Sequence, residues 1–199
     1  MTYEMKISSS FQLPEKELVD ISCAPWGGAY QPRCSWQGRF VKNSGFLLDL
    51  ICWEKDPLRR YTKWQDPVYT DSCLEFFCNF DPENSDRYIN FEMNANGAAL
   101  VGVGKDRYDR TPLATAVMPQ VRAAIMDEFW DVVLYVPVET VWEVYGRKID
   151  FAPGYEMRAN VQKCGSETAV NHWLCWNKIE SPKPDFHRPE SFGTILLVE

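Results

Sequence analysis

Leu74-Glu75-Phe76-Phe77-Cys78-Asn79-Phe80, followed by Tyr88-Ile89-Asn90-Phe91-Glu92-Met93-Asn94, is the passage that decides the fold. In the first run Leu74, Phe76, Cys78 and Phe80 alternate with Glu75 and Asn79, with Asp71 one step off the pattern. In the second, Ile89, Phe91 and Met93 alternate with Asn90, Glu92 and Asn94. Successive side chains of a strand point to opposite faces, so each run predicts a strand with one apolar and one hydrogen-bonding face.

Further along, Tyr155 to Lys163 repeats the pattern, with Met157, Ala159 and Val161 on one side and Arg158, Asn160 and Gln162 on the other. Upstream, Arg33 to Val41 and Phe46 to Trp53 flank Lys42-Asn43-Ser44-Gly45, a hairpin turn. Residues 55–69 are polar and broken by Pro57 and Pro67, so they read as a long surface loop. Phe129 to Val138 is nearly continuously apolar and predicts a strand buried on both faces, and Gly193 to Glu199 a closing strand. Two helices are expected: a short one over 14–20, opened by Pro14 with Glu15 and Glu17 at its positive end, and a weaker one over Met118–Met126. The expected architecture is all-β, an antiparallel, jelly-roll-like β-sandwich with one or two short helices.

With 199 residues the chain is expected to make one domain over 1–199, on which residues 1–29 pack as an N-terminal extension. Its net charge of -7, without any basic cluster longer than Arg59-Arg60, speaks against nucleic acid and against an anionic membrane surface. No stretch is apolar for the length of a membrane span. The seven cysteines (23, 34, 52, 73, 78, 164 and 175) are odd in number and scattered, which argues against a disulfide framework. Buried free thiols and the lack of an apolar leader in residues 1–10 predict a cytoplasmic protein, with a trimmed secreted one as the alternative.

The runs TDSCLEFF (70–77), YINFEMN (88–94), YEMRANVQKCG (155–165), HWLCWN (172–177) and PDFHRPESFGTILL (184–197), in this order, resemble family-nine carbohydrate-binding modules of the stand-alone bacterial kind. The resemblance covers roughly residues 30–199 and implies a β-sandwich related to the DOMON-like domains, with a mono- or oligosaccharide held in a slot between two aromatic rings. It places the family's acidic residue at Glu75 and one ring at Phe186, where relatives often carry Trp. The other ring is either Trp64 or Tyr69. Glu92 stands where well-studied members have a basic residue, a departure that puts the usual sugar preference in question.

A sugar site needs flat rings for the C–H face and fixed polar groups for the hydroxyls. Glu75, Asn90, Glu92 and Asn160 supply such groups from one sheet face, with Arg158 adjacent and His187 fixing the terminal loop. Phe186, in a proline-restrained loop, is expected to be partly exposed, so that its removal weakens binding and spares stability. The same pattern also describes an ordinary solvated face. Two alternatives follow: a glycoside hydrolase using Glu75 and Glu92 about 5–9 Å apart, or an interaction module with a degraded slot. No cofactor is expected. Asp81, Glu83, Asn84 and Asp86 make an oxygen-rich loop open to calcium, but without the spacing of a calcium motif a solvated turn is the expectation. His172 and His187 have no fixed-spacing partner that would make them metal ligands.

Overall fold

A computed structural model describes residues 1–12 and 18–199. In chain order the strands are β1 (Thr2–Ser8), β2 (Val19–Asp20), β3 (Arg33–Val41), β4 (Gly45–Trp53), β5 (Cys73–Asn79), β6 (Tyr88–Asn94), β7 (Ala99–Gly104), β8 (Arg110–Pro112), β9 (Gln120–Ile125), β10 (Trp130–Pro137), β11 (Glu156–Gly165), β12 (His172–Cys175) and β13 (Gly193–Val198). Among the described residues one α-helix, α1 (Val138–Tyr145), is present, after β10. The strands run β8-β7-β6-β5-β11-β13-β1-β3-β4-β10-β9, with β12 beside β11 and β2 beside β3. This sheet curls so that its two halves face each other as a β-sandwich.

Alternation builds the interior. Leu74, Phe76 and Cys78 of β5, Ile89, Phe91 and Met93 of β6, and Met157, Ala159 and Val161 of β11 pack on Trp36, Leu48, Leu50, Val132 and Leu134 from the opposite half. The turn between β3 and β4 falls where expected, and Asn43 adopts φ 59, a left-handed value that Asn tolerates. The N-terminal residues expected to pack on the domain supply β1, which is inserted between β13 and β3 with both pairings parallel.

Three expectations are corrected. Of the helix over 14–20, residues 14–17 lie outside the described residues, and Val19–Asp20 is a strand paired with Trp36 and Ser35. The helix over Met118–Met126 is instead β9, paired antiparallel with β10, where Val121 and Ala123 turn toward the core. Pro119 would be tolerated in a first helical turn, so the outcome is decided by β10, whose edge pairs the backbone groups that a helix would have satisfied internally. Finally, β10 alternates buried with half-buried residues, so it is covered fully on one face only.

Lys163 continues the inward-facing row of β11 and is completely buried. Its ammonium donates to Ser72 Oγ at 2.9 Å, the Cys164 carbonyl at 3.0 Å and His172 Nε2 at 2.7 Å, and lies 3.6 Å from the Glu54 carboxylate. Glu54 also accepts from the Ser72 hydroxyl and, at 3.2 Å, from Trp130 Nε1. Burial first, and the neighbouring ammonium second, hold the His172 pKa below its ordinary value. The ring is therefore neutral, accepting from Lys163 at Nε2 and donating from Nδ1 to the Val170 carbonyl at 2.8 Å. Every charge brought into the interior here has a partner, which is the condition for tolerating it.

Candidate functional site

On the other face of β5, β6 and β11 the pairing register sets the chemistry. Glu75 lies directly opposite Glu92 and Gln162, and Phe77 opposite Asn90 and Asn160. Directly opposed residues project from the same face. This face is roofed in part by the chain after Cys175, whose Ile179, Phe186 and Phe192 pack with Phe77 and Tyr88 in a second apolar cluster.

Where the roof stops, a cavity of about 660 Å³ opens. Glu75, Glu92, Asn90 and Phe77 line its floor, Tyr69 and Trp173 stand on one side, and Phe186 and His187 on another. The loop between β7 and β8 adds Arg107, and the start of β8 adds Arg110. Arg110 reaches across Gly102 to bond Asn90 Oδ1, its guanidinium 4.5 Å from the Tyr88 ring centroid. Arg107 donates to Asp185 Oδ1 at 2.9 and 2.7 Å, tying that loop to the one bearing Phe186. Gly104 sits at the base of the hairpin, where an added Cβ would lie 1.8 Å from the Asp109 carbonyl oxygen. Gly104→Ala is therefore expected to spread β7 from β8 and displace both arginines. Ligand affinity should fall several-fold while the near-UV dichroism of the aromatic core persists.

The two acids are buried, Glu75 being 2% and Glu92 5% exposed. Burial first, and the Glu92 charge second, push the Glu75 pKa well above the carboxylate range. Burial raises that of Glu92 to about 7, against the Asn90 amide, which donates to Glu92 Oε1 at 2.7 Å. Near neutrality the pair therefore retains a proton and offers a ligand both a donor and acceptors. His187 is held neutral: burial, then Arg110 and Arg107, lower its pKa to about 3. Its Nδ1 shares a 2.8 Å hydrogen bond with the Tyr88 hydroxyl, and its ring lies against Phe77 with centroids 4.9 Å apart.

Of the expected site residues, Glu75, Asn90, Glu92, Tyr69, Phe186 and His187 converge on this cavity. Trp64 is 40% exposed and lies outside it, so of the two rings left open Tyr69, 45% exposed, is the one at the cavity. Asn160 is fully buried under the roof: its amide donates to the Asn177 carbonyl at 2.9 Å and its oxygen accepts from Asn177 N at 2.9 Å. Arg158 is likewise turned to the Phe192 carbonyl. Phe186 is 6% exposed and packs on Trp26 at a centroid separation of 5.7 Å, which corrects the expectation of a partly exposed ring. Trp173, Arg107 and Arg110 line the cavity unforeseen. Trp173 precedes Leu174 of the core on β12, so alternation alone places it outward. Arg107 sits in an irregular loop and Arg110 opens a strand of three residues, too short to carry a periodic signal.

The oxygen-rich loop is already partnered. Asp81 bonds Arg147 at 2.8 Å, the Asn84 amide at 2.8 Å and the Tyr155 hydroxyl at 3.4 Å. Among the described residues no group of three or more His, Cys, Asp or Glu is arranged to hold a metal ion.

The fold has solved relatives. It superposes with a TM-score of 0.84 on a candidate carbohydrate-binding protein from Bacteroides uniformis, at 24% identity over 98% of both chains. It superposes with a TM-score of 0.67 on a family 9 carbohydrate-binding module from Caldicellulosiruptor kristjanssonii in complex with glucose, at 10% identity over 99% of this chain and 95% of that one. The same module in complex with cellotriose gives 0.67 at 9% identity, over 100% and 94%. At these identities the likeness is one of fold. No curated protein matches the chain. The model of carbohydrate-binding family 9 matches residues 14–197, nearly the whole sequence, and the chain belongs to that family.

Proposed function

We propose that the protein binds a mono- or oligosaccharide in the cavity above Glu75 and Glu92, without acting on it, in the service of polysaccharide use. One observation carries this reading: two adjacent buried carboxyl groups and the Asn90–Arg110 pair form a polar floor beneath aromatic walls from Tyr69, Trp173 and Phe186. The volume falls within the range of about 300–1,000 Å³ typical of small-molecule sites. A sugar ring presents hydroxyls that both donate and accept, and a half-protonated acid pair matches either. Its C–H faces match the rings. The solved module that holds glucose and cellotriose shares the fold.

A hydrolase reading is less well supported. Glu75 and Glu92 are cross-strand neighbours on the floor, so both address a bound ring from the same side. Glycoside hydrolysis places its two acids on either side of the scissile bond. No cofactor enters the proposal.

Calorimetric titration with neutral mono- and oligosaccharides tests the reading. Tyr69→Ala should weaken binding several-fold, since one ring contact is worth on the order of 1 kcal/mol, and leave the Tm nearly unchanged. Phe186→Ala should lower both affinity and Tm, because that ring is also part of the second cluster. Absence of heat with every sugar at millimolar concentration would exclude the proposal.

A further inference from the structure

Six of the seven cysteines stand directly opposite one another on neighbouring strands. Cys34 faces Cys52 across β3 and β4, Cys73 faces Cys164 across β5 and β11, and Cys23 faces Cys175 in an isolated antiparallel bridge. Cys78 alone faces no cysteine: Ala159 and Ile89 lie opposite it. Directly opposed residues of antiparallel strands have Cα atoms about 4.5 or 5.5 Å apart, both inside the window of about 4.4–6.8 Å that a disulfide spans. They also project to one face, so no strand need rotate to join them. The sulfurs of Cys34 and Cys52 are already 3.1 Å apart. Cys23 and Cys175 exchange both backbone hydrogen bonds, at 3.0 and 2.8 Å, and the Cys175 sulfur lies 3.6 Å from the Cys23 carbonyl oxygen. An odd total therefore conceals three pairs and one remainder.

We propose that Cys34–Cys52, Cys73–Cys164 and Cys23–Cys175 are three dithiol pairs that close as cross-strand disulfides when the chain folds in an oxidising medium, leaving Cys78 as the one free thiol. In a reducing compartment they remain the seven thiols of the present structure. The native thiols are mostly buried, so closure belongs to folding, before the sandwich shuts. With oxidised glutathione as oxidant, one cysteine thiolate of a pair attacks a glutathione sulfur and releases one glutathione thiolate. The opposed cysteine then attacks the protein sulfur of this mixed disulfide and releases the second. Each pair gives up two electrons and two protons, and one oxidised glutathione becomes two glutathione thiols. The Cys23–Cys175 bridge would join residues 152 positions apart, and it constrains the unfolded chain most.

The test refolds the reduced, denatured chain in an oxidised/reduced glutathione buffer, alkylates all remaining thiols under denaturing conditions and maps the non-reduced peptides by mass. The same map is read on protein produced directly in an oxidising cell compartment, so the outcome does not depend on refolding. Expected are three linked peptide pairs and alkylation at Cys78 alone. The Tm should lie about 20 °C above that of the reduced protein and return on adding dithiothreitol. Cys34→Ser should delete one link and keep the other two, and Cys78→Ser should change none. Seven alkylated cysteines, any missing pair, or a bridge through Cys78 overturns the proposal.

Discussion

Glu92→Gln is expected to stabilise the folded protein above pH 7 and to leave it unchanged near pH 4. The ordinary pKa of this carboxyl is 4.5, and in the folded state it is about 7. Between those values the folded state holds a proton that the unfolded state has released, so stability falls as pH rises through the window. At the reference shift of 1.36 kcal/mol per unit, the loss is about 3 kcal/mol once both states are ionised. The amide keeps the acceptor for Asn90 and needs no desolvated charge. It also relieves Glu75, whose pKa is raised partly by the Glu92 charge. His187 acts in the opposite direction: its pKa moves from 6.5 to about 3, so stability is lost as pH falls through that range. In the wild type Glu75 and Glu92 both lower stability as pH rises, while His187 raises it. The difference between Glu92→Gln and wild type removes the Glu92 contribution alone, so the gain should grow from near zero at about pH 4 toward its full value at about pH 8. Urea denaturation at pH 4, 6 and 8 measures this, and equal gains at all three values would contradict the assignment.

Lys163→Met should be among the most destabilising single changes in the molecule. It replaces a fully buried ammonium by an apolar chain of similar length and leaves Glu54, 3.6 Å away, with neutral donors alone, the Ser72 hydroxyl, the Trp130 indole and the Cys52 thiol. Breaking a buried pair by removing one partner costs about 3–5 kcal/mol, chiefly because the other charge remains. Combining Lys163→Met with Glu54→Gln removes that charge, so the double variant should recover a large part of the loss. A double-mutant cycle by chemical denaturation gives the coupling directly. Additive effects would show that the two groups do not depend on each other.

The strands that the sequence discloses best are those with one polar and one apolar face. In β5, β6 and β11 polar and apolar residues alternate with few breaks, Phe77 and Lys163 among them, and the boundaries emerge within a few residues. The helix α1 went unread although Val138, Val141, Trp142 and Tyr145 carry a helical period, with Pro137 before and Gly146, at φ 67, after it. Its apolar residues merge with those of β10, and composition alone does not separate the two periods. Site residues on the sheet were legible for the same reason as the strands: Glu75, Asn90 and Glu92 share a face. Asn160 shares it too, yet the segment around Asn177 covers it, and such cover comes from a distant part of the chain that alternation cannot disclose. Arg107, in the loop after β7, and Arg110, at the start of β8, reach the cavity through a hairpin whose course is set by the close approach of Gly104 to Asp109. That Phe186 is buried reflects Trp26, a residue from the opposite end of the sequence.

The insertion of β1 between β13 and β3 has a kinetic meaning. Thr2 to Lys6 align with Thr194 to Val198, so strand neighbours at this seam come from the first and last residues of the chain. The half-sheet carrying β5 and β6 reaches the half-sheet carrying β3 and β4 through β11, β13 and β1. A nascent chain can form the β3–β4 hairpin early, because that pairing is local. The seam has to wait until the final strand has been synthesised. Closure is therefore a late, high-contact-order event, and the rate of folding should be governed by this terminal docking more than by the assembly of either hairpin. Until it occurs Thr2–Lys6 of β1 and Glu156–Ala159 of β11 lack the strand that pairs with both, the state in which such a protein is most exposed to wrong pairing with another copy.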